Sequence, residues 1–211
     1  IEYNRAFLMG RLAWSRLDGL LLISGALGLF DKEVAIGCGG YYKKNVGEDM
    51  ELVVRMRIYM AQKKEKYKVG YVPDPLCWTE VPSTLKVLGS QRNRWTRGTI
   101  DTLFIHWNIF LNRKYGFMGM VSHPFWVFFE WLAPIIELLG IIYFTVIAFF
   151  GSPNWPFFFV MLFFVYVFSI TFSTYAILYD LLAYNRYKKK RMIVKLLLTA
   201  WIEPIIFHPL V

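Results

Sequence analysis

Cysteine and histidine are scarce in this sequence of 211 residues, and their spacing argues against metal and disulfide frameworks. Cys38 and Cys77 are far apart and form no Cys-x-x-Cys pair. The histidines, His106, His123 and His208, are isolated from one another and from acids at metal-site spacing. We therefore expect reduced thiols, and histidines with structural or interfacial roles.

Acidic residues are outnumbered by basic ones: 24 Lys and Arg accompany 15 Asp and Glu, a formal net charge of +9. Such an excess is typical of nucleic-acid partners, yet no nucleic-acid recognition motif accompanies it. Residues 1–120 hold 18 basic and 11 acidic residues, whereas residues 121–211 hold only 6 and 4. A basic half held on the cytoplasmic side of a membrane explains this pattern. We expect membrane lipid, and no nucleic acid, among the partners.

Charge is absent from residues 157–178, and the whole chain is 56% hydrophobic. We predict membrane spans at about 124–150 and 157–180, each long enough to cross a bilayer. The basic cluster at 186–191 predicts that the second span returns to the cytoplasmic side. A third hydrophobic segment, 192–211, is interrupted by acidic and proline residues, which favours an interfacial position over a third span.

Two acids, Glu130 and Glu137, fall within the first predicted span and are seven residues apart, so they share one helix face. An acid inside a membrane is costly and points to a functional role. A polar channel or a partner helix beside that face are the two candidate explanations.

The stretch 89–98 predicts a helix with Gln91, Arg94 and Trp95 on one face and Gly98 a further turn along. A guanidinium suits phosphate oxygens, and an indole suits the apolar face of a ring-shaped ligand. Gly98 would let another group approach the backbone closely. Taken alone, the stretch is equally typical of a basic helix that lies on a membrane surface, anchored by Trp95.

Upstream, Gly47-Glu48-Asp49-Met50-Glu51-Leu52 predicts the start of a helix over residues 48–62. Acids in a first turn are favoured by the helix dipole, so a purely structural role explains them too. Asp49 falls on the apolar stripe of this helix and is expected to point inward, where an acid needs a partner or a function. Glu48 and Glu51 fall off the stripe and are expected nearer to solvent or to cations.

These two stretches, in this order and followed by membrane spans, resemble the Gly/Thr-Glu-Asp and Gln-x-x-Arg-Trp pair of membrane-bound family 2 glycosyltransferases. That family includes the cellulose, chitin, hyaluronan and poly-N-acetylglucosamine synthases. The resemblance implies an α/β fold, with residues 1–100 as the C-terminal half of a GT-A nucleotide-sugar-binding domain. The sequence pattern itself predicts strands near 23–30 and 67–79. An amphipathic interface helix at 101–122 and a transmembrane region at 123–211 would follow.

The resemblance also implies roles for individual residues. Asp49 would be the general base that takes the proton of the acceptor hydroxyl, with Glu48 as a neighbouring acid. Trp95 would pack on the acceptor sugar. The residues implied at the donor and its diphosphate are Ser24, Gly25, Gln91, Arg92 and Arg94.

Two departures from the family pattern accompany the resemblance. Gly47 stands where many members have Thr, which we expect to be tolerated because the backbone sets the helix start. The uridine-binding Asp and the metal-binding Asp-x-Asp have no counterpart. We expect Mg²⁺ or Mn²⁺ in the full-length enzyme, with ligands outside this chain. We also expect the chain, which begins at Ile1 without Met, to be a piece of a longer protein and inactive alone.

The expected function is inverting transfer of a sugar from a nucleotide diphosphate donor, a UDP-sugar, to a growing β-linked polysaccharide. The expected location is the cell membrane, with the catalytic part on the cytoplasmic side. Two alternatives remain open: a non-processive transferase that acts on a lipid-linked acceptor, and a basic membrane-anchored interaction protein without enzymatic activity.

The substitution Arg94→Lys distinguishes the two enzymatic interpretations from the non-enzymatic, membrane-anchored interaction protein. Lys cannot reproduce the geometry of a guanidinium at a diphosphate, so an enzyme should lose most of its sugar transfer. A lipid-binding helix should tolerate the change, because the charge is kept. Sugar transfer by the full-length protein measures the difference, and unchanged transfer would remove Arg94 from the donor site.

Overall fold

The computed structural model describes residues 3–23, 25–74, 76–184 and 190–207, and this part of the chain is mainly helical. A π-helical segment, Tyr3–Gly10, leads directly into the first α-helix. The α-helices are α1 Arg11–Arg16, α2 Lys32–Gly37, α3 Glu48–Lys63, α4 Leu85–Ile105, α5 His123–Phe125, α6 Leu132–Phe150, α7 Trp155–Tyr184 and α8 Lys190–Ile206. Short 3₁₀ turns, Trp107–Ile109 and Arg113–Tyr115, follow α4.

The α/β fold class predicted from the resemblance is wrong for this structure. The described residues contain helices and irregular backbone but no β-strand, and those that fall in the two predicted strands, near 23–30 and 67–79, are irregular. A strand exists only when its backbone pairs with a neighbour. Tyr71, in the second stretch, instead donates its backbone N–H to the Ser15 hydroxyl (3.0 Å). An extended sequence pattern shows that a segment can pair, but it does not supply the partner.

The chain divides into two compact units, of which Arg11–Ile136 is one. Its core is formed by side chains from the loop between α1 and α2, from α3, from α4, from the turns after α4 and from the following helix: Leu21, Met50, Val54, Ile58, Leu103, Ile109, Tyr115, Met118 and Val127. Helix α3 lies in the middle of this unit, and most of its first half is buried on every side. A helix covered all round has no solvent-facing side on which to place its charges.

One charge of α3 is buried and tied to the loop that precedes α2. The Arg57 side chain is 1% exposed. Its Nη1 donates to the carbonyl oxygen of Leu20 (3.1 Å), and its Nη2 donates to the Asp18 carboxylate (3.2 Å). The Tyr67 ring lies 5.4 Å from this guanidinium. Burial raises the pKa of Tyr67 above its ordinary value, which keeps the phenol neutral beside the cation.

Helix α4, which carries the Gln-x-x-Arg-Trp stretch, includes the whole of the predicted helical stretch 89–98 and begins at Leu85. Thr84 is its N-cap: the side-chain oxygen accepts a hydrogen bond from the backbone N–H of Val87 (3.3 Å). Further along α4, Gly98 packs directly against the segment that leads into α3. A Cβ added at Gly98 would lie 2.6 Å from the Cα of Gly47, so the predicted close approach at Gly98 is confirmed.

The contact is reciprocal and is reinforced by a buried amide. A Cβ at Gly47 would lie 2.8 Å from the Gly98 Cα. Position 47 is therefore constrained by this contact as well as by the backbone conformation at the start of α3. The Asn45 side chain accepts from the Gly47 N–H (2.8 Å) and donates to the Thr102 hydroxyl (2.8 Å). Thr102 in turn donates to the Gly98 carbonyl oxygen (2.8 Å). Four residues therefore fix the start of α3 against the middle of α4.

Two helices in the described part of the chain are long and apolar enough to cross a membrane: Met118–Phe150 and Trp155–Leu182. The first is partly π-helical, at Met118–Ser122 and Trp126–Trp131. The most apolar windows of the two helices are 0% and 6% buried. Core helices of a soluble protein would be covered instead. Glu130 and Glu137 both have exposed side chains.

The second unit comprises the described residues up to Gly10 and from Glu137 onward, and an ion pair joins three of its helical segments. Both terminal nitrogens of Arg5 donate to the Glu203 carboxylate (3.1 and 3.0 Å), and Nη1 also donates to the Ser173 hydroxyl (2.6 Å). Glu203 is 7% exposed. This arrangement supplies the fork geometry that a buried carboxylate needs. Of the basic cluster predicted to set the topology, 186–191, residues 186–189 lie outside the described residues, and Lys190 and Arg191 begin α8.

The Gly98–Gly47 contact predicts that Gly98→Ala destabilises the protein. The new methyl group would meet backbone atoms, which cannot rotate away, and overpacking of this kind costs about 1–3 kcal/mol. We expect a lower thermal unfolding midpoint for the detergent-solubilised protein.

Gly89→Ala in the same helix is the matched control, because nothing lies within 4 Å of a Cβ at that position. Replacing an exposed helical glycine should leave the unfolding midpoint unchanged or raise it. Equal unfolding midpoints for Gly98→Ala and Gly89→Ala would contradict the close contact.

Candidate active site

Asp49 is half-buried in the first turn of α3, beside the loop that follows Ile23. Its Oδ1 accepts a hydrogen bond from the Met50 N–H (2.8 Å). Its Oδ2 faces Gly25, where an added Cβ would lie 2.9 Å from this oxygen. A side chain at position 25 would push the carboxylate away, so the glycine keeps Asp49 in its present orientation.

Asp49, Glu48 and Gly25 line an open cavity of about 470 Å³. Small-molecule sites typically measure about 300–1,000 Å³. The walls combine two carboxylates with apolar and aromatic side chains, and the full lining is Ile23, Gly25, Ala26, Leu27, Gly28, Phe30, Tyr41, Glu48 and Asp49. Carboxylates accept hydrogen bonds from hydroxyl groups, and aromatic faces pack against apolar ring surfaces. The cavity can therefore hold a hydroxylated ring compound beside a proton acceptor.

Six residues of this lining were not predicted as site residues: Ile23, Ala26, Leu27, Gly28, Phe30 and Tyr41. The first five fall in the stretch 23–30, which was predicted as a strand, and Tyr41 shows no periodicity that would single it out. The short turn Gly39-Gly40 just before Tyr41 is the available signal, because both glycines adopt positive φ (97° and 69°). Ser24, predicted at the donor pocket, lies outside the described residues.

The predicted residues of α4 do not belong to this lining. Gln91, Arg92 and Trp95 are half-buried, whereas Arg94 is exposed. The Arg92 guanidinium lies 5.0 Å from the centre of the Trp95 ring, a cation–π distance. The structure thus brings Asp49, Glu48 and Gly25 together, and α4 is joined to them through the Gly47–Gly98 contact.

Glu51 is the acid whose burial the sequence did not indicate. It was expected nearer to solvent or to cations; its side chain is 2% exposed, and a cation, Arg55, is its partner. Its Oε1 accepts hydrogen bonds from His106 Nε2 (3.0 Å) and Arg55 Nε (2.9 Å), and its Oε2 accepts from Arg55 Nη2 (2.7 Å). Helical periodicity predicts a single buried stripe, whereas most of the first half of α3 is buried on every side.

The same arginine holds the loop before Tyr41. Arg55 Nη1 donates to the carbonyl oxygen of Cys38 (3.0 Å), and Nη2 donates to that of Gly40 (2.5 Å). Gly39, between them, has φ of 97°, and a Cβ there would lie 3.3 Å from Arg55 Nη1. The loop therefore wraps the guanidinium that also pairs with Glu51.

Among the described histidines, both are buried and hydrogen-bonded, in line with the structural roles predicted for them. His106 donates to Glu51, and His123 Nε2 lies 3.3 Å from the carbonyl oxygen of Leu103. His208 lies outside the described residues. The residues that the structure describes include no group of three or more His, Cys, Asp and Glu side chains that could hold a metal ion.

The Glu51 network makes stability depend on pH in a defined direction. Burial alone would raise the pKa of Glu51, but the hydrogen bonds from His106 and Arg55 outweigh it and lower the pKa below its ordinary 4.5. A lowered pKa contributes stability that is complete above pH 4.5 and is lost as pH falls through the folded-state value.

Thermal unfolding midpoints of the wild type and Glu51→Gln should therefore differ most above pH 5 and converge in more acidic buffer. A difference between the two midpoints that stays constant from pH 7 to pH 3 would contradict this assignment.

Comparison with known proteins extends the sequence resemblance. Residues 3–187 match the profile described as "Glycosyl transferase family group 2". The poly-beta-1,6-N-acetyl-D-glucosamine synthase of Staphylococcus epidermidis is 25% identical over 213 residues, which cover 95% of this chain and 47% of that protein. The protein of the same name from Staphylococcus aureus strain COL is 31% identical over 81 residues, covering 38% of this chain and 18% of that protein.

Chitin synthase A of Colletotrichum graminicola is 41% identical over 66 residues, covering 30% of this chain and 4% of that protein. The chain thus spans about half the length of the Staphylococcus epidermidis relative. No solved structure gives a significant match. The profile match extends over most of the chain, and on that basis the chain belongs to glycosyl transferase family group 2.

Proposed function

We propose that this chain is part of an inverting glycosyltransferase that adds sugars from a nucleotide diphosphate donor, a UDP-sugar, to a growing β-linked polysaccharide. Family membership and the names of the relatives support glycosyl transfer and polysaccharide synthesis in general. The observation that carries the site assignment is the Asp49 carboxylate, which faces the 470 Å³ cavity beside Gly25.

In the proposed reaction, an acceptor hydroxyl in the cavity lies within hydrogen-bond reach of Asp49. The carboxylate takes the hydroxyl proton as the oxygen attacks the anomeric carbon of the donor sugar. The bond from that carbon to the diphosphate oxygen breaks, and the diphosphate leaves with the bonding electron pair. Attack opposite the leaving group inverts the anomeric centre, so an α-linked donor gives a β-linkage.

Helix α4 is the proposed contributor to the donor and acceptor sites. Gln91, Arg92 and Arg94 would bind the diphosphate, for which guanidinium groups are suited. Trp95 would pack on the acceptor sugar. The exposed side chain of Arg94 is accessible for such a contact, and the glycine contact holds α4 beside the first turn of α3.

A divalent cation, Mg²⁺ or Mn²⁺, remains a prediction for the full-length enzyme. The described residues do not offer a set of side chains that fits such an ion. The roles proposed for the residues of this chain are proton transfer and substrate binding, and none of them is metal coordination.

A membrane location is also part of the proposal. The two candidate spans expose their apolar surfaces, as helices in contact with lipid do. The excess of basic residues in the first half supports a cytoplasmic catalytic part. A polysaccharide channel beside Glu130 or Glu137 stays a hypothesis.

Transfer from radiolabelled UDP-glucose and UDP-N-acetylglucosamine, by membranes that carry the full-length protein, tests the proposal. Asp49→Asn keeps the shape of the side chain but removes its basicity, so transfer should fall by about 10²–10⁴-fold. Asp74→Asn, at an exposed position, is the matched control and should transfer sugar at the wild-type rate.

The outcomes separate the candidate functions. A labelled polymer made by the wild type and lost in Asp49→Asn, at equal protein levels, supports the proposal, and the productive donor identifies the sugar. Label recovered in lipid rather than in polymer would favour the transferase that acts on a lipid-linked acceptor. Equal transfer by wild type and Asp49→Asn would exclude Asp49 as the base.

A further inference from the structure

Glu51 and Asp49 point in nearly opposite directions from the same turn of α3. Successive residues of an α-helix are rotated by about 100°, so side chains two positions apart are about 200° apart. Asp49 faces the cavity, and Glu51 faces the interior, where 2% of it is exposed. Any interaction that fixes Glu51 therefore also holds the helical turn from which Asp49 projects.

Glu51 is held from two directions. His106, the C-cap residue of α4, donates to one carboxylate oxygen. Arg55, one turn further along α3, donates to both oxygens. A buried carboxylate with charge-assisted hydrogen bonds on both oxygens has little freedom to rotate. The first turn of α3 is consequently locked to the C-terminal end of the helix that carries Gln91–Trp95.

The network also reaches the loop that carries Tyr41, another residue of the cavity lining. Arg55 donates to the carbonyl oxygens of Cys38 and Gly40, and Gly40 is followed directly by Tyr41, which lines the cavity. Gly39 and Gly40 adopt positive φ, so this loop has a conformation that other residues rarely adopt. One guanidinium therefore connects the Glu51 carboxylate with the loop that presents Tyr41.

We propose that Glu51 is a positioning residue for sugar transfer. Through His106 and Arg55 it sets the separation between the Asp49 turn and the Tyr41 loop, both of which line the cavity in which the acceptor hydroxyl would lie. It touches no substrate itself. This inference rests on the proposed function, because it assigns Glu51 a part in the reaction for which Asp49 is the proposed base.

The test compares the wild type, Glu51→Gln and Glu33→Gln in the full-length protein. Glu51→Gln keeps the side-chain shape but removes the charge and one acceptor, so the Asp49 turn and the Tyr41 loop should shift. A misplacement of about 1 Å can lower a rate about 100-fold, so we expect turnover to fall about 10–100-fold. Glu33, an exposed acid in the first turn of α2, is the matched control and should leave turnover unchanged.

Turnover must be expressed per binding site for UDP, counted with radiolabelled UDP as the probe. A residue that serves folding alone would reduce the number of UDP sites and leave turnover per site unchanged. A positioning residue lowers turnover per site while the remaining sites still bind UDP. This readout separates the two roles even when part of the variant protein is unfolded.

The failure of this inference is distinguishable from the failure of the proposed function. A wild type that transfers no sugar from any UDP-sugar contradicts the proposed function. An active wild type with normal turnover per site in Glu51→Gln contradicts only the role of Glu51. If Glu51→Gln does not accumulate, Arg55→Lys decides by the same assay, because a single ammonium cannot serve Glu51, Cys38 and Gly40 together. Normal turnover per site in Arg55→Lys would overturn the inference.

Discussion

The contact between two glycines is the constraint on which the rest of the site depends. At Gly47 and Gly98 the chain before α3 meets the middle of α4 so closely that neither position has room for a Cβ. Asn45 and Thr102 stabilise this contact with buried hydrogen bonds. The two sequence stretches that identify the family are thereby brought into one unit, although the residues between them include a long irregular segment.

Buried charge supplies the second level of organisation. Burying an ion is costly unless its hydrogen-bonding capacity is met, and breaking such a pair costs more than its net contribution to stability. Glu51 therefore needs its two partners, Arg55 in α3 and His106 at the end of α4. Arg55 also donates to the loop before Tyr41, so the network extends to that loop. An arrangement that satisfies one carboxylate thus also gives the candidate site its shape, which links the energetics of the core to the proposed chemistry.

Local sequence signals predicted the helices of the site well, whereas features that depend on contacts with distant parts of the chain were not predicted. The acids after Gly47 placed the start of α3, because helix-dipole effects act within one turn. The expected strands are absent from the described residues, because pairing depends on a partner elsewhere. Glu51 was expected off the buried stripe, near solvent or cations; its cation partner is present, but its burial escaped prediction because periodicity assumes one buried face. Tyr41 was missed because its place in the cavity depends on a loop held by Arg55.

A structure of the full-length protein with UDP and an acceptor oligosaccharide bound tests the central claim most directly. The quantity to measure is the distance from the terminal acceptor hydroxyl oxygen to the nearest Asp49 carboxylate oxygen. A general base must lie within about 2.6–3.2 Å of that hydroxyl, or reach it through one water molecule. We predict a hydroxyl-to-carboxylate distance within this range, with the acceptor sugar bound between Asp49 and Tyr41. An acceptor terminus outside the cavity, beyond the reach of Asp49, would contradict the account.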